Sequence, residues 1–157
     1  KVSYAGQWMT GIVIDPWNQL EHYRPAGMSE TEYISHALSL VIEFVRGAYA
    51  EKLHNGDVHV WIVAHPKIMQ KNKDGSYPIP RPYDVSGSAH WWNKADNCIT
   101  VWRDQAESTQ EVQIHVQKIR FKHIGRIGLA CLDYDRVTGR YNEQLRSVQT
   151  TKSVLFD

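Results

Sequence analysis

The chain has 157 residues, of which 42% are hydrophobic and 11% aromatic, enough to build the core of one domain. Eighteen Lys and Arg stand against 17 Asp and Glu, a net charge of +1, so overall charge gives no reason to expect nucleic acid and any basic surface must be local. Cys98 and Cys131 lie in apolar runs without metal-ligand spacing, which suits buried thiols in a reducing compartment. With no signal peptide and no apolar run of about 18 residues, a cytoplasmic protein without a membrane span is expected.

Residues 8–14 form a short apolar run bounded by Gly and Asp-Pro, which predicts a strand buried on both faces and ending at Asp15. Pro16 forces a turn, and residues 17–28 read as loop or short helix. Ser29-Glu30-Thr31-Glu32 is a capping box that opens a long helix, with Ile34, Leu38, Val41, Val45 and Ala48 as its apolar stripe and His54-Asn55-Gly56 as its stop. Residues 58–64 give a second strand, parallel to the first through a right-handed crossover, ending at His65.

Residues 66–84 are polar, rich in Lys, Pro and Gly, and long for a loop in a compact domain. A short helix over about 87–94 leads into a strand over 98–102, which closes on Arg103. Val112, Ile114 and Val116 alternate with Gln113, His115 and Gln117, predicting a half-exposed strand. Residues 129–134 pair with it as an antiparallel hairpin, and Thr138-Gly139 marks a further turn. The pattern fades from Asn142, so 1–141 is expected to be the folded part and 142–157 a mobile tail.

Three apolar runs thus end in Asp15, His65 and Arg103, and ligands of open α/β sheets bind outside the carboxyl ends of parallel strands. An Asp in that position can hold Mg²⁺ through water, the Walker-B arrangement; alone, it equally suits an Asp that begins a turn. His65 could donate to a γ-phosphate or simply satisfy a strand-end carbonyl. Loop 66–82 carries Lys67, Lys71, Lys73 and Arg81 against the single acid Asp74, a charge excess that fits phosphate-backbone contacts or a solvated lysine loop. Lys118 and Arg120 alternate onto one side of an extended chain, either as a cationic fork for phosphoryl charge or as a basic hairpin tip facing water. No G-x-x-x-x-G-K-[ST] loop is present.

In this order the pieces resemble the C-terminal half of the RecA-like motor of hexameric replicative helicases, the DnaB, phage primase-helicase and mitochondrial helicase group. The resemblance runs from about Gly11 to Tyr141. GIVID resembles the Walker-B strand, VWIVAHPK the sensor strand, and SGSAHWWNKADN the glycine-serine segment with its Ala95-Asp96 pair. VWRD follows, and then VQKIRFKHIGRIG, the hairpin that supplies an arginine finger to the adjoining subunit. The resemblance implies an α/β fold: a partial RecA-like P-loop NTPase core of parallel strands with a crossover helix, plus a C-terminal antiparallel hairpin.

It further implies ATP and Mg²⁺ as cofactors, with Asp15 coordinating the metal and His65 sensing the γ-phosphate. Lys118 and Arg120 would contact a neighbour's ATP, with Arg103 assisting, and Lys67, Lys71 and Lys73 would meet single-stranded DNA in a central channel. The expected assembly is a homo-oligomer, a hexamer, of phage or prophage origin. Because the family's Walker-A residues and catalytic carboxylate precede the Walker-B strand, the chain reads as a fragment, inactive by itself. The family's strand before the phosphate loop would lie between 58–64 and 98–102. The alternatives are a non-enzymatic nucleic-acid-binding module and a metal-dependent nuclease using Asp15 with histidines such as His22, His54, His65 and His90, which show no ligand spacing.

Overall fold

The computed structural model describes residues 3–4, 7–8, 11–46, 58–85, 88–104 and 110–143. They divide into two compact units, Lys1–Lys67 with Pro82–Lys94, and Ile68–Arg81 with Ala95–Asp157, where length alone suggested one domain.

The first unit begins with β1 (Ser3–Tyr4) and β2 (Gln7–Trp8), a small antiparallel ladder. β3 (Gly11–Ile14) then pairs in parallel with β4 (His59–Ile62), Gly11 opposite His59 and Ile14 opposite Ile62. Between them in sequence lies α1 (Glu30–Arg46). Its capping box forms as expected: Glu32 Oε2 accepts from the Ser29 backbone at 2.8 Å, and Ser29 Oγ accepts from the Glu32 backbone at 3.2 Å. Ala48 and the His54-Asn55-Gly56 stop lie outside the described residues.

Ile34 and Leu38 from α1, Trp17 from a 3₁₀ turn (Trp17–Gln19) and Trp91 from α2 (Ser88–Lys94) make the core, joined by Ile62, Ala64 and Val85. The Lys94 ammonium at the end of α2 donates to the Ser35 carbonyl and to the Ser35 and Ser39 hydroxyls, which ties the two helices together. The expectation of a first strand buried on both faces is corrected. It is shorter, and β3 and β4 alternate: Ile12, Ile14 and Ile62 turn inward, whereas Val13 is 66% and Trp61 51% exposed. The helices cover one face of the ladder, and among the described residues of this unit the other face meets solvent.

The second unit is a four-stranded antiparallel sheet in the order β5 (Asn97–Trp102), β6 (Glu111–Ile119), β7 (Gly128–Asp135), β8 (Arg140–Glu143). Along β6 Val112 is buried and the other residues are half-buried, while Glu111, Gln113 and His115 make a hydrogen-bonded row at i, i+2 spacing. The turn into β8 rests on Gly139 at φ 68°, a left-handed conformation that suits glycine, with the Asp135 carboxylate accepting from Val137 and Thr138. Asn142 and Glu143 belong to β8, so strand structure continues past the point where the sequence pattern fades; residues 144–157 lie outside the described residues.

Candidate functional site

In the first unit the parallel register brings Asp15 and His65 to the same end of the ladder. Asp15 follows β3 directly, and His65 lies three residues beyond the end of β4. The turn between Asp15 and Asn18 folds over the neighbouring strand: Val63 N–H donates to the Ile14 carbonyl at 2.8 Å and Trp17 N–H to the Val63 carbonyl at 2.7 Å. Asn18 Oδ1 then accepts the His65 backbone N–H at 2.7 Å. Asn18 therefore sets where His65 sits, a role that its strand-distant sequence position gives no means of reading.

Beyond His65 the chain is held at once. Pro66 bridges Val85, and Lys67 N–H donates to the Asp84 carbonyl at 2.7 Å. Both Asp15 and His65 are exposed, so a ligand can approach them without displacing core.

His22 stacks beside Trp17 at 4.7 Å between ring centroids, with Nε2 bonded to the Trp17 carbonyl at 2.9 Å and Nδ1 to the Tyr33 hydroxyl at 3.2 Å. These rings, with Tyr23, Arg24 and Glu30, line an open cleft of about 500 Å³. His22 thus serves packing. Among the described residues no group of three or more His, Cys, Asp or Glu could hold a metal ion, and His54 lies outside them. Asp15 supplies one exposed carboxylate, which fits water-mediated Mg²⁺ and not a protein-built metal cage.

In the second unit, residues 68–81 form a structured loop. Asn72 and Ser76 close a tight turn through Asn72 N–H to the Ser76 carbonyl at 2.8 Å, with Gly75 at φ 85°. The Asp74 carboxylate accepts from the Ser76 hydroxyl and backbone, which holds its pKa below the usual value. The only acid of the loop is therefore ionised and committed to the turn, while Lys71 and Lys73 are exposed. Lys71 Nζ sits 5.1 Å from the centre of the Tyr77 ring, an aromatic missed in reading the loop as a charge run. Lys67 belongs to the first unit and Lys71 and Lys73 to the second.

Lys118 lies in β6 opposite Cys98, and Arg120 directly follows the strand. One prong of the fork has a partner that its spacing does not reveal. Arg120 Nη1 is 2.9 Å from Asp96 Oδ1, and Arg120 N–H donates to the Asp96 carbonyl at 2.9 Å, so the guanidinium is held by the acid of the Ala95-Asp96 pair. Burial pushes the Cys98 thiol pKa up, with the nearby Lys118 ammonium opposing it. Neither cysteine forms a disulfide, and both are partly buried.

Arg103 lies elsewhere in the sheet. β5 and β6 are antiparallel, Asn97 facing Ile119 and Trp102 facing Gln113, so Arg103 lies at the far end of the ladder from Arg120, about 23 Å along the strand. There its guanidinium lies over the Tyr134 ring at 5.8 Å.

No helix among the described residues is long and apolar enough to cross a membrane. No family model matches the chain. The chain is 44% identical over 136 residues, 85% of its length, to "Twinkle homolog protein, chloroplastic/mitochondrial" of Arabidopsis thaliana. It spans 18% of that relative's length, and is thereby homologous to one segment of a Twinkle homolog protein.

Proposed function

We propose that this chain is the C-terminal part of the RecA-like motor of an ATP-dependent replicative DNA helicase, working as a homo-oligomer, a hexamer, on single-stranded DNA. The observation that carries the reading is the placement of Asp15 and His65 at the carboxyl ends of adjacent parallel strands, in a chain so similar to a Twinkle homolog protein. The solvent-facing apolar side of the β3–β4 ladder, with Val13 and Trp61, supports a larger sheet, because parallel sheets are ordinarily covered on both faces.

In this reading Asp15 would help to hold Mg²⁺ beside bound ATP, and the metal would supply neutralisation of phosphate charge. His65 donates to the γ-phosphate. The bond from its backbone to Asn18 makes any movement of His65 a movement of the turn behind Asp15. Lys118 and Arg120 act on the nucleotide of an adjoining subunit. For that, Arg120 exchanges the Asp96 carboxylate for phosphate oxygen. The exchange is inexpensive because the pair is half-exposed, with side chains 47% and 39% accessible, and such pairs contribute about 0–1 kcal/mol.

The test is ATP turnover by the complete protein. Asp15→Asn replaces the carboxylate by an amide at nearly constant shape and is expected to abolish turnover, while the isolated 157-residue chain is expected to hydrolyse no ATP. Undiminished turnover by Asp15→Asn contradicts the assignment. If the complete protein binds single-stranded DNA but hydrolyses no ATP, the alternative of a non-enzymatic nucleic-acid-binding module holds instead.

A further inference from the structure

The ladder between β5 and β6 is not regular. Ile99 pairs with Val116 and Cys98 with Lys118, so β6 carries one extra residue, Gln117, in a bulge. Bulges re-aim a side chain and leave the extra residue without a ladder partner. Here the Gln117 side chain reaches across to the basic loop: Nε2 donates to the Pro80 carbonyl at 2.8 Å. The same carbonyl accepts from Thr100 Oγ1 of β5 at 3.1 Å.

Pro80 lies at the C-terminal end of residues 68–81, and Gln117 immediately precedes Lys118. One amide therefore joins the end of the loop that holds Lys71 and Lys73 to the strand end that holds Lys118 and Arg120. The other atom of that amide, Gln117 Oε1, is buried without a hydrogen-bond partner among the described residues. Burying an unsatisfied oxygen is unfavourable, and an apolar side chain of the same length would fill the space without that cost. Packing alone therefore gives no reason for glutamine, whereas a donor aimed at a loop carbonyl does.

We propose that Gln117 is a positioning residue that couples occupancy of loop 68–81 by a single-stranded nucleic-acid backbone to the placement of Lys118 and Arg120. The inference rests on the helicase reading above. A strand that draws on Lys71 and Lys73 moves the end of the loop, and the Pro80 carbonyl carries Gln117 with it. The bulge is where this movement enters β6, since the extra residue between the Val116–Ile99 and Lys118–Cys98 pairs has no ladder partner to hold it. Lys118 and Arg120 follow because they are the next residues of the same strand end.

The experiment compares ATP turnover of the complete protein with and without saturating oligothymidylate, for the wild type, Gln117→Met and Thr100→Val. Binding of labelled oligothymidylate is measured in parallel. Gln117→Met keeps length and volume but cannot donate; it is expected to reduce the stimulation ratio at least about fivefold, the lower range of coupling between sites, with oligothymidylate affinity changed less than about twofold. Thr100→Val, which removes the second donor to the same carbonyl, reduces the ratio in the same direction and supports the coupling even if Gln117→Met fails to fold. An undiminished ratio in either folded variant overturns the inference, as does a loss of affinity large enough to account for the lost stimulation. A wild type that turns over no ATP, or is not stimulated, overturns the helicase reading itself, an outcome recognisable without any variant.

Discussion

Asn18 and His65, 47 residues apart in sequence, are joined by a 2.7 Å bond from the His65 backbone N–H to the Asn18 side-chain oxygen. The bond fixes the turn that follows Asp15 against the end of the neighbouring strand. It ties the two residues expected to meet Mg²⁺ and the γ-phosphate into one body, although neither side chain touches the other in any hydrogen bond described above.

Asn18→Ala is accordingly expected to destabilise the first unit by about 0.5–1.5 kcal/mol, the usual net value of a hydrogen bond. It should lower ATP turnover of the complete protein by more than this loss of folded protein explains. Denaturant unfolding together with turnover at saturating ATP checks both. Turnover that falls only in proportion to the unfolded fraction contradicts the positioning role.

Arg120 is expected to act in trans. Arg120→Ala should reduce turnover by about 10³-fold, in the range of arginine fingers, and mixing Arg120→Ala subunits with Asp15→Asn subunits should restore part of it through hybrid interfaces. Mixtures no more active than either variant, under conditions where hybrids form, rule this out. Asp96→Asn removes the competing carboxylate while the backbone bond from Arg120 remains possible. It is expected to change turnover far less than Arg120→Ala.

Neutralising Lys67, Lys71 and Lys73 to Gln should flatten the salt dependence of single-stranded DNA binding. Each phosphate contact on a single strand contributes about 0.7 to the slope of log affinity against log salt, so loss of all three predicts a decrease of about 2. Because Lys67 lies in a different unit from Lys71 and Lys73, the Lys67→Gln and Lys71→Gln/Lys73→Gln effects should add. Titration at several salt concentrations measures this, and an unchanged slope removes the loop from the interface.

His115 gives the second unit a pH dependence. Burial disfavours its imidazolium and lowers its pKa from the ordinary value of 6.5. The unfolded chain then binds the proton more readily than the folded one, so stability is complete above that ordinary value and decreases as pH falls from it toward the lower folded value. His115→Gln should flatten the stability curve through this window. Asp135, whose pKa is lowered by Thr138 and Val137, acts only further toward acid, below the ordinary carboxylate value of 3.8. Identical slopes for wild type and variant from neutral pH to pH 5 would falsify the assignment.

The local elements were written in the sequence. The Ser29–Glu32 box, the Ile34 and Leu38 stripe, the turn at Gly139 and the strand through Val112, Ile114 and Val116 each depend on residues within one or two turns of one another, and all are found in the fold. The parallel pairing of β3 with β4 was legible for a different reason, since parallel strands need a crossover and the helix between the two apolar runs supplies one.

Which polar groups meet was decided by tertiary structure. Arg120 spaced two residues from Lys118 reads as a fork, and the antiparallel register places Asp96 beside one of its prongs. Arg103 reads as a companion, and the same register carries it to the opposite end of the sheet. A single extra residue at Gln117 shifts the ladder and turns an amide onto Pro80. Periodicity describes which face a side chain occupies on its own element, whereas partners 20 to 50 residues away depend on register and bulges, which arise only when the strands pair.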